Sequence, residues 1–253
     1  MNPAWQAFFD EIARWRDADR TAELWWRDDD ASQPDPLLSR LVSLAQRTST
    51  PLALAVIPMR SGKKMFEGFT SEVTVLQHGT DHVNRASAGG KKTEFNAGEA
   101  PVAALARLDA ARRLLEAQAG GRYMPVLAPP WNRIPEQLAP HLAAGGFIGL
   151  SRYGVRRNAE AAPGLRQVNT HVDIIAWRAG GGFVGENEAL AAACRHLAAK
   201  RTAAADPAEA TGLLTHHAVH DAAAWAFLEQ LFETTRSLPG VAWRSAEALF
   251  HIP

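Results

Sequence analysis

Short apolar segments alternate with longer amphipathic segments from one end of the chain to the other. Residues 52–57 are continuously apolar and stop at Pro58, which is typical of a strand covered on both faces. In the amphipathic segments the apolar residues recur at helical spacing, and the first such face consists of Trp5, Phe8, Phe9, Ile12 and Trp15. The alternation predicts an α/β fold with a mostly parallel sheet, and the pattern leaves open whether that sheet closes into a barrel.

The same pattern places the individual elements. Strands are predicted at residues 24–27, 52–57, 73–76, 124–127, 147–150, 172–177, 212–215 and 241–243. Helices are predicted at residues 5–15, 37–45, 102–118, 187–200 and 222–235, with a further helix that has Pro135 in its first turn. Residues 152–164 are basic and are predicted to be irregular. No internal repeat interrupts this order, so we expect residues 1–253 to form a single catalytic domain.

Composition and charge exclude several classes of protein. Lys and Arg together number 27, as do Asp and Glu together, so no dedicated nucleic-acid or anionic-membrane surface is expected. The single cysteine, Cys194, rules out an intrachain disulfide framework. The first residues lack the basic and apolar regions of a signal peptide, and no run reaches the ~18 apolar residues of a membrane span. We therefore expect a soluble cytoplasmic protein.

Polar side chains that could act in catalysis or bind a metal follow several of the predicted strands. The positions are Asp28-Asp29-Asp30, His78 through His82, Pro129-Pro130-Trp131-Asn132, and His216-His217. Active sites of parallel α/β proteins gather at the C-terminal ends of the strands. We therefore expect these side chains to meet in one site, although an acidic run by itself is more often a solvated turn.

The residue types in these clusters suit a metal ion. The spacing of His78 and His82 is that of one helical turn, which can direct two imidazoles at a single ion. Two imidazoles and one carboxylate form a three-ligand site with room for water, which is typical of catalytic Zn²⁺ or a similar ion. A second carboxylate could take a proton from that water, and a histidine on the far side could donate one to a leaving group.

The clusters resemble, in their order along the chain, the motifs of the polysaccharide deacetylases of the NodB-homology type (carbohydrate esterase family 4). The matching residues are Asp29-Asp30, His78 with His82, Pro129-Pro130-Trp131, and Leu214-Thr215-His216. The resemblance implies a distorted (β/α) barrel with about seven parallel strands. It also implies a metal-dependent hydrolase that removes an acetyl group from an amide nitrogen, with an N-acetylated sugar as the expected substrate.

The resemblance assigns roles to individual residues. It implies Asp29 as the general base, His216 as the general acid, Asp173 as the aspartate that orients His216, and Asp30, His78 and His82 as the ligands of one divalent metal ion. Zn²⁺ is the expected ion, and Co²⁺ or Ni²⁺ would accept the same ligands. Trp131 and Asn132 are expected to bind substrate, because a Trp face suits a sugar ring; packing of Trp131 in the core is the alternative.

One departure from the family pattern concerns the partner of the base. The third motif of the family opens with an arginine that pairs with the base, whereas this chain has Ala128 at that place. Arg27 lies two residues before Asp29 and should face the same side of a strand, so we expect it to replace the missing arginine. Asp28-Asp29 could instead be the functional pair; under the Arg27 hypothesis Asp28 points away from the site.

The remaining polar residues near these motifs are expected to be structural. His217 should point away from its neighbour, Asp221 should cap the next helix, and residues 91–95 should form a solvated charged loop. Two alternatives to sugar deacetylation stay open: cleavage of a non-sugar C–N bond on the same scaffold, or a catalytically silent relative that binds a glycan. The substrate would be a small molecule or an oligosaccharide, since the chain contains no recognisable carbohydrate-binding module.

Overall fold

The structure, a computed structural model, describes residues 2–251. Its helices are Pro3–Asp17 (α1), Pro36–Thr48 (α2), Pro101–Ala119 (α3), Ala139–Ala144 (α4), Glu186–Arg201 (α5), Ala222–Thr235 (α6) and Ala246–Phe250 (α7). Its strands are Ala22–Ala31 (β1), Leu52–Val56 (β2), Val73–Gln77 (β3), Tyr123–Leu127 (β4), Gly149–Leu150 (β5), Glu160–Ala162 (β6), Leu165–Gln167 (β7), Val172–Asp173 (β8), Thr211–Thr215 (β9) and Val241–Trp243 (β10). None of the described helices is long and apolar enough to cross a membrane.

The strands form one curled sheet in the order β6-β7-β5-β4-β3-β2-β1-β9-β8, and β10 pairs with the beginning of β1. All neighbouring strands are parallel except β6 and β7. In the described part of the chain the path runs from β6 to β8 without closing, so the sheet is a half-barrel. The predicted α/β class and the distorted, mostly parallel barrel are confirmed.

Strand β1 lies between β2 and β9, and apolar side chains cover both faces of its first half. Trp25 and Trp26 are each 0% exposed. Trp26 packs against Phe232 of α6 with ring centroids 4.5 Å apart, whereas Trp25 packs on the opposite side against Phe250 of α7. Because the two adjacent tryptophans pack on opposite faces, they hold the strand between two layers. This packing fixes the position of the residues that follow them.

The boundaries of several elements differ from those predicted. Strand β1 continues through the acidic run to Ala31, so Asp28, Asp29 and Asp30 lie within the strand and not after it. The strand predicted at residues 147–150 is only Gly149–Leu150, and the segment predicted to be irregular contains β6. The first difference has a local cause. The pairing of β1 with β2 shifts register between Asp28 and Ala31. This bulge lets the strand continue through the acidic residues, where the alternation of side chains in a regular strand predicted its end.

Candidate active site

A cavity of about 580 Å³ opens at the C-terminal edge of the sheet. The predicted site residues that line it are Asp29, Asp30, His78, His82, Trp131, Asn132, Asp173 and His216. Arg27, the remaining predicted residue, is 0% exposed and lies directly beneath Asp29. Residues from distant parts of the chain thus meet at one place, because parallel strands bring their C-terminal ends to the same edge.

The bulge in β1 determines which carboxylates face the cavity. In a regular strand, adjacent side chains point to opposite faces. Asp30 instead has a left-handed backbone with φ of 69°, so that Asp29 and Asp30 both line the cavity. Asp28 points the other way and is fully buried against β9. The geometry therefore favours Asp29-Asp30 over Asp28-Asp29 as the pair that faces the cavity.

Asp30, His78 and His82 form a cluster of metal-ligand atoms. Asp30 Oδ1 lies 3.0 Å from His78 Nε2 and 3.1 Å from His82 Nε2. Asp30 Oδ1 is buried, and the two imidazole nitrogens converge on it. The two rings have centroids 5.3 Å apart. One carboxylate oxygen and two imidazole nitrogens facing a common point, with an open cavity beside them, fit a divalent cation.

The charges around this cluster shift the pKa values of Asp30 and His78 in opposite directions. Burial acts against a charged Asp30, but the imidazoles of His78 and His82 outweigh it and hold the pKa of that carboxyl below its usual value. Burial likewise acts against a charged His78, and the carboxylates of Asp29 and Asp30 outweigh it and raise the pKa of that imidazole. A cation would take the place of these protons, since a metal ligand must give up its proton to bind.

The spacing of His78 and His82 does not reflect a helical turn, so that part of the prediction is wrong. His78 directly follows β3, and residues 78–82 form an irregular loop in which Gly79 and His82 have φ of 63° and 57°. The two imidazoles converge through the left-handed backbone of Gly79 and His82, and not because of helical periodicity. Left-handed backbone at non-glycine residues is strained and is held in place by surrounding contacts.

Glu94 supplies those contacts, and sequence reasoning missed it. Its carboxylate accepts hydrogen bonds from the backbone N–H groups of Thr80 at 2.7 Å and His82 at 3.1 Å. Glu94 and Phe95 are 0% and 1% exposed, so the prediction that residues 91–95 form a solvated loop is wrong for this end of the segment. The only signal in the sequence was the apolar Phe95, because the partners of Glu94 are backbone groups that carry no sequence signature.

Arg27 and Asp29 form a buried ion pair with two-point contact. Arg27 Nε donates to Asp29 Oδ1 at 2.8 Å, and Nη2 donates to Asp29 Oδ2 at 2.9 Å. The guanidinium also donates to Ser151 Oγ at 2.6 Å and to Asn132 Oδ1 at 2.7 Å. The predicted pairing of Arg27 with Asp29 is thus present in the structure. Ser151 had no motif to mark it, since its role depends on how the curled sheet brings the end of β5 close to β1.

Asp173 and His216 do not make the direct contact that the family resemblance implied. Asp173 accepts hydrogen bonds from the backbone N–H of Ile175 at 3.0 Å and from Trp177 Nε1 at 2.9 Å, and no hydrogen bond joins it to His216 in the described chain. Trp177 stands edge-on to the His216 ring, with centroids 4.8 Å apart. Burial raises the pKa of the Asp173 carboxyl. Trp177, which sequence reasoning had placed in a strand, thus lies between Asp173 and His216 and contacts both.

Aromatic and cationic side chains form the outer wall of the cavity. Trp131 packs against His82 with ring centroids 4.3 Å apart, and it lines the cavity instead of entering the core. Tyr153 and Trp177 are 49% and 48% exposed at the opposite side. Lys92 and Arg133 complete the rim. The wall therefore offers flat rings to a ligand and leaves the acidic groups at the floor.

A second cluster of potential metal ligands, His171, His196 and Glu209, does not fit a metal ion. His171 Nδ1 accepts a hydrogen bond from the backbone N–H of Gly212 at 3.0 Å, so the proton of the neutral ring is on Nε2, 3.4 Å from Glu209 Oε2. The His171 and His196 rings are stacked with centroids 3.4 Å apart, so their planes are nearly parallel. This cluster is a buried stack of two imidazoles that are hydrogen-bonded through their Nδ1 atoms.

No protein-family profile matches the chain, and no curated protein matches its sequence. Solved structures match its fold. A peptidoglycan N-acetylglucosamine deacetylase aligns with a TM-score of 0.56 at 12% identity over 91% of this chain and 88% of its own. A family 4 carbohydrate esterase from Streptomyces lividans, in complex with acetate, aligns with a TM-score of 0.54 at 12% identity over 88% of this chain and 91% of its own.

An acetyl xylan esterase of the same family from Clostridium thermocellum, in complex with a cobalt ion, aligns with a TM-score of 0.51 at 14% identity over 90% of each chain. At these identities the likeness establishes a shared fold, and the expected NodB-like barrel is confirmed. What these proteins bind and cleave is a property of those proteins.

Proposed function

We propose that this chain, which has the fold of the NodB-like deacetylases of carbohydrate esterase family 4, is a metal-dependent hydrolase that removes an acetyl group from the amide nitrogen of an N-acetylated sugar. One observation carries the proposal. The Asp30–His78–His82 cluster lies in the same cavity as the paired carboxylate Asp29 and the imidazole of His216. These are the ligands, base and acid that acyl transfer to water requires.

The residues of the chain divide the chemistry between them. A divalent cation held by the cluster, with Zn²⁺ expected and Co²⁺ or Ni²⁺ as alternatives, would lower the pKa of a water and polarise the acyl carbonyl. Asp29 takes the proton of the attacking water, and the two-point contact with Arg27 holds its carboxylate in one orientation. His216 gives a proton to the nitrogen as the C–N bond breaks, so that the product leaves as a neutral amine.

The shape of the cavity supports a carbohydrate substrate. The cavity has a volume of about 580 Å³, which is within the range of small-ligand sites. Flat ring faces surround it, from Trp131, Tyr153 and Trp177. Trp177 also touches the proposed acid, so a ring that stacks on it would place its substituents near His216. Trp131 and Asn132 are proposed to contact substrate, with Asn132 also fixing Arg27.

An ester bond is the principal competing substrate class. One of the solved neighbours is an acetyl xylan esterase, and the same base and metal ligands would serve an alcohol leaving group. A non-sugar amide on the same scaffold is a further alternative. A catalytically silent glycan-binding protein is disfavoured, because base, ligands and acid are all present and face one cavity.

The proposal is tested by a substrate panel that varies only the leaving group and the sugar. Purified protein is assayed for acetate release from N-acetylglucosamine oligomers, from acetylated xylan and from a non-sugar acetamide. We expect release from the N-acetylated sugars, its loss on addition of a chelator, and its recovery on addition of Zn²⁺ or Co²⁺. Release from acetylated xylan alone would replace the amidase proposal by an esterase, and release from nothing in the panel would refute both.

A further inference from the structure

Asp28 is a buried carboxylate that the proposed chemistry does not use. It is 0% exposed and points away from the cavity that Asp29 and Asp30 face. Its Oδ1 lies 2.5 Å from Nδ1 of His217, which is itself 2% exposed. A buried carboxylate is costly unless it is paired and hydrogen-bonded, so a third aspartate at this position needs a reason.

Asp28 contacts the residues on both sides of the proposed acid in the sequence. Asp28 Oδ2 accepts hydrogen bonds from Thr215 Oγ1 at 2.6 Å and from the backbone N–H of His217 at 2.9 Å. Thr215 and His217 are the residues immediately before and after His216. Thr215 Oγ1 in turn accepts from Trp26 Nε1 at 2.8 Å, so the carboxylate and the core of β1 together hold the end of β9.

His216 depends on this support, because its own ring has little. Its Nδ1 is buried and has no hydrogen-bond partner within residues 2–251, and its ring meets Trp177 only by an edge contact. Its backbone (φ −143°, ψ 88°) marks the turn between β9 and the short helix His217–Val219. The position of the ring is therefore set mainly by the backbone at this turn, which Asp28 fixes.

We propose that Asp28 is a positioning residue that acts with His217 to hold His216 where it can protonate the leaving group. The inference rests on the proposed function and extends it. In the step concerned, the C–N bond breaks, its electron pair goes to nitrogen, and nitrogen takes the proton from His216. A shift of the acid by about 1 Å can cost about a hundredfold in rate. The three consecutive aspartates of β1 then have three roles: Asp28 positions the acid, Asp29 is the base and Asp30 binds the metal.

The leaving group separates this role from simple stabilisation of the fold. An amine must be protonated to depart, whereas the phenolate of 4-nitrophenyl acetate departs without a proton. In Asp28→Asn, which keeps the volume and an acceptor for the backbone N–H of His217, we expect kcat on the N-acetylated sugar to fall about ten- to a hundredfold. Hydrolysis of 4-nitrophenyl acetate, bound metal and KM should stay within about twofold. His216→Ala is the benchmark and should show the same selective loss.

A second variant covers the case in which Asp28→Asn does not fold. His217→Gln leaves the contacts of Asp28 with Thr215 Oγ1 and with the backbone intact and removes only the imidazole. We expect this variant to lose kcat on the amide substrate selectively, as Asp28→Asn does, but by a smaller factor. Equal losses on both substrates, or no loss on either in a folded, metal-loaded variant, would overturn the proposal.

A readout that does not need turnover distinguishes failure of the inference from failure of the proposed function. Proton–nitrogen NMR of protein labelled with ¹⁵N-histidine reports the ring of each histidine, and His216→Asn assigns its signal. We expect Asp28→Asn to shift or broaden the His216 signal and to leave those of His78 and His82 in place. If wild type hydrolysed nothing, the proposed function would fail, while an unchanged His216 signal would overturn the positioning role by itself.

Discussion

Arg27 and Asp29 form an ion pair between residues two apart on one strand, sealed from water by the layers around β1. Their side chains are 0% and 1% exposed. The pair is satisfied because Ser151 and Asn132 take the remaining donors of the guanidinium. Removing one member of a buried pair leaves an uncompensated charge, which costs more than the pair itself contributes. The first prediction follows from this asymmetry.

Arg27→Ala should destabilise the protein by about 3–5 kcal/mol and reduce kcat/KM on the N-acetylated sugar at least about a hundredfold. Arg27→Lys should recover part of the stability and little of the activity, because an ammonium cannot make the two-point contact with Asp29. Urea unfolding and steady-state kinetics measure the two quantities. The exposed Arg113→Ala is the matched control and should leave both unchanged. An active Arg27→Ala protein would refute the role of Arg27.

Glu94 gives a second prediction for a single residue, because it holds the loop of the metal ligands by backbone contacts alone. Glu94→Ala leaves the N–H groups of Thr80 and His82 without an acceptor and should weaken metal binding about ten- to a hundredfold. Isothermal titration calorimetry of the metal-free protein with Zn²⁺ measures the affinity. The exposed Glu67→Ala is the control. Unchanged affinity in Glu94→Ala would show that the loop keeps its shape without this carboxylate.

At the level of elements, the sequence predicted the residues of the site better than the backbone that presents them. The order of the motifs identified Asp29, Asp30, His78, His82 and His216 correctly as neighbours of one cavity. It did not predict the bulge at Asp30, because alternation assumes a regular strand. It also did not predict Glu94, Ser151 or Trp177, since each depends on a loop or a register that side-chain type does not encode.

Gly79 tests the loop between β3 and α3 as a unit. Its φ is 63°, and a Cβ at this position would lie 2.3 Å from Glu94 Oε2 and 2.6 Å from Pro130 Cδ. Gly79→Ala should therefore displace Glu94 and Pro130 together, lowering the stability by about 1–3 kcal/mol and reducing the bound metal.

Gly62→Ala is the matched control for Gly79→Ala, because nothing lies within 4 Å of a Cβ there. Thermal unfolding and metal analysis of the two variants compare the positions directly. Equal stability and equal metal content in both would show that the loop adapts to a side chain at Gly79.

At the level of the whole molecule, the buried stack of His171 and His196 contributes to the loss of stability in acid. Burial, with the neighbouring His171 and Lys200, lowers the pKa of His196 from 6.5 to about 2, and burial lowers that of His171. In the unfolded chain both imidazoles have ordinary pKa values, so below about pH 6.5 the unfolded state binds more protons than the folded state. The contribution of this stack to stability is complete above that pH and is lost as the pH falls.

We expect the free energy of unfolding to decrease as the pH falls from about 6.5 towards 4, and to do so less steeply in His196→Phe. Urea unfolding of wild type and variant across this range gives the two slopes, and their difference isolates His196 from the other titrating groups. The exposed His141→Phe should keep the wild-type slope. Equal slopes for wild type and His196→Phe would mean that His196 takes up protons in the folded protein as it does in the unfolded chain, which contradicts the lowered pKa.

The α/β class and the sheet were predictable because strand and helix periodicities differ and repeat along the whole chain. Whether the sheet was open or curled was not, since curvature comes from the pairing of strands far apart in sequence, such as β1 with β9 and β10. The family resemblance supplied that information. The pairing of Asp28 with His217 could not be predicted, because neither the periodicity of the sequence nor a family motif marks it.

Metal dependence of the proposed hydrolysis is tested by measuring bound metal and acetate release in the same preparations of wild type, His78→Ala and the exposed control His141→Ala. We expect about one divalent ion per chain in wild type and in the His141 control, with acetate released from an N-acetylated sugar by both. We expect His78→Ala to lose the ion and the activity while remaining folded. A wild-type protein that releases acetate with no bound metal, or a His78→Ala protein that keeps both metal and activity, would contradict the metal-dependent mechanism.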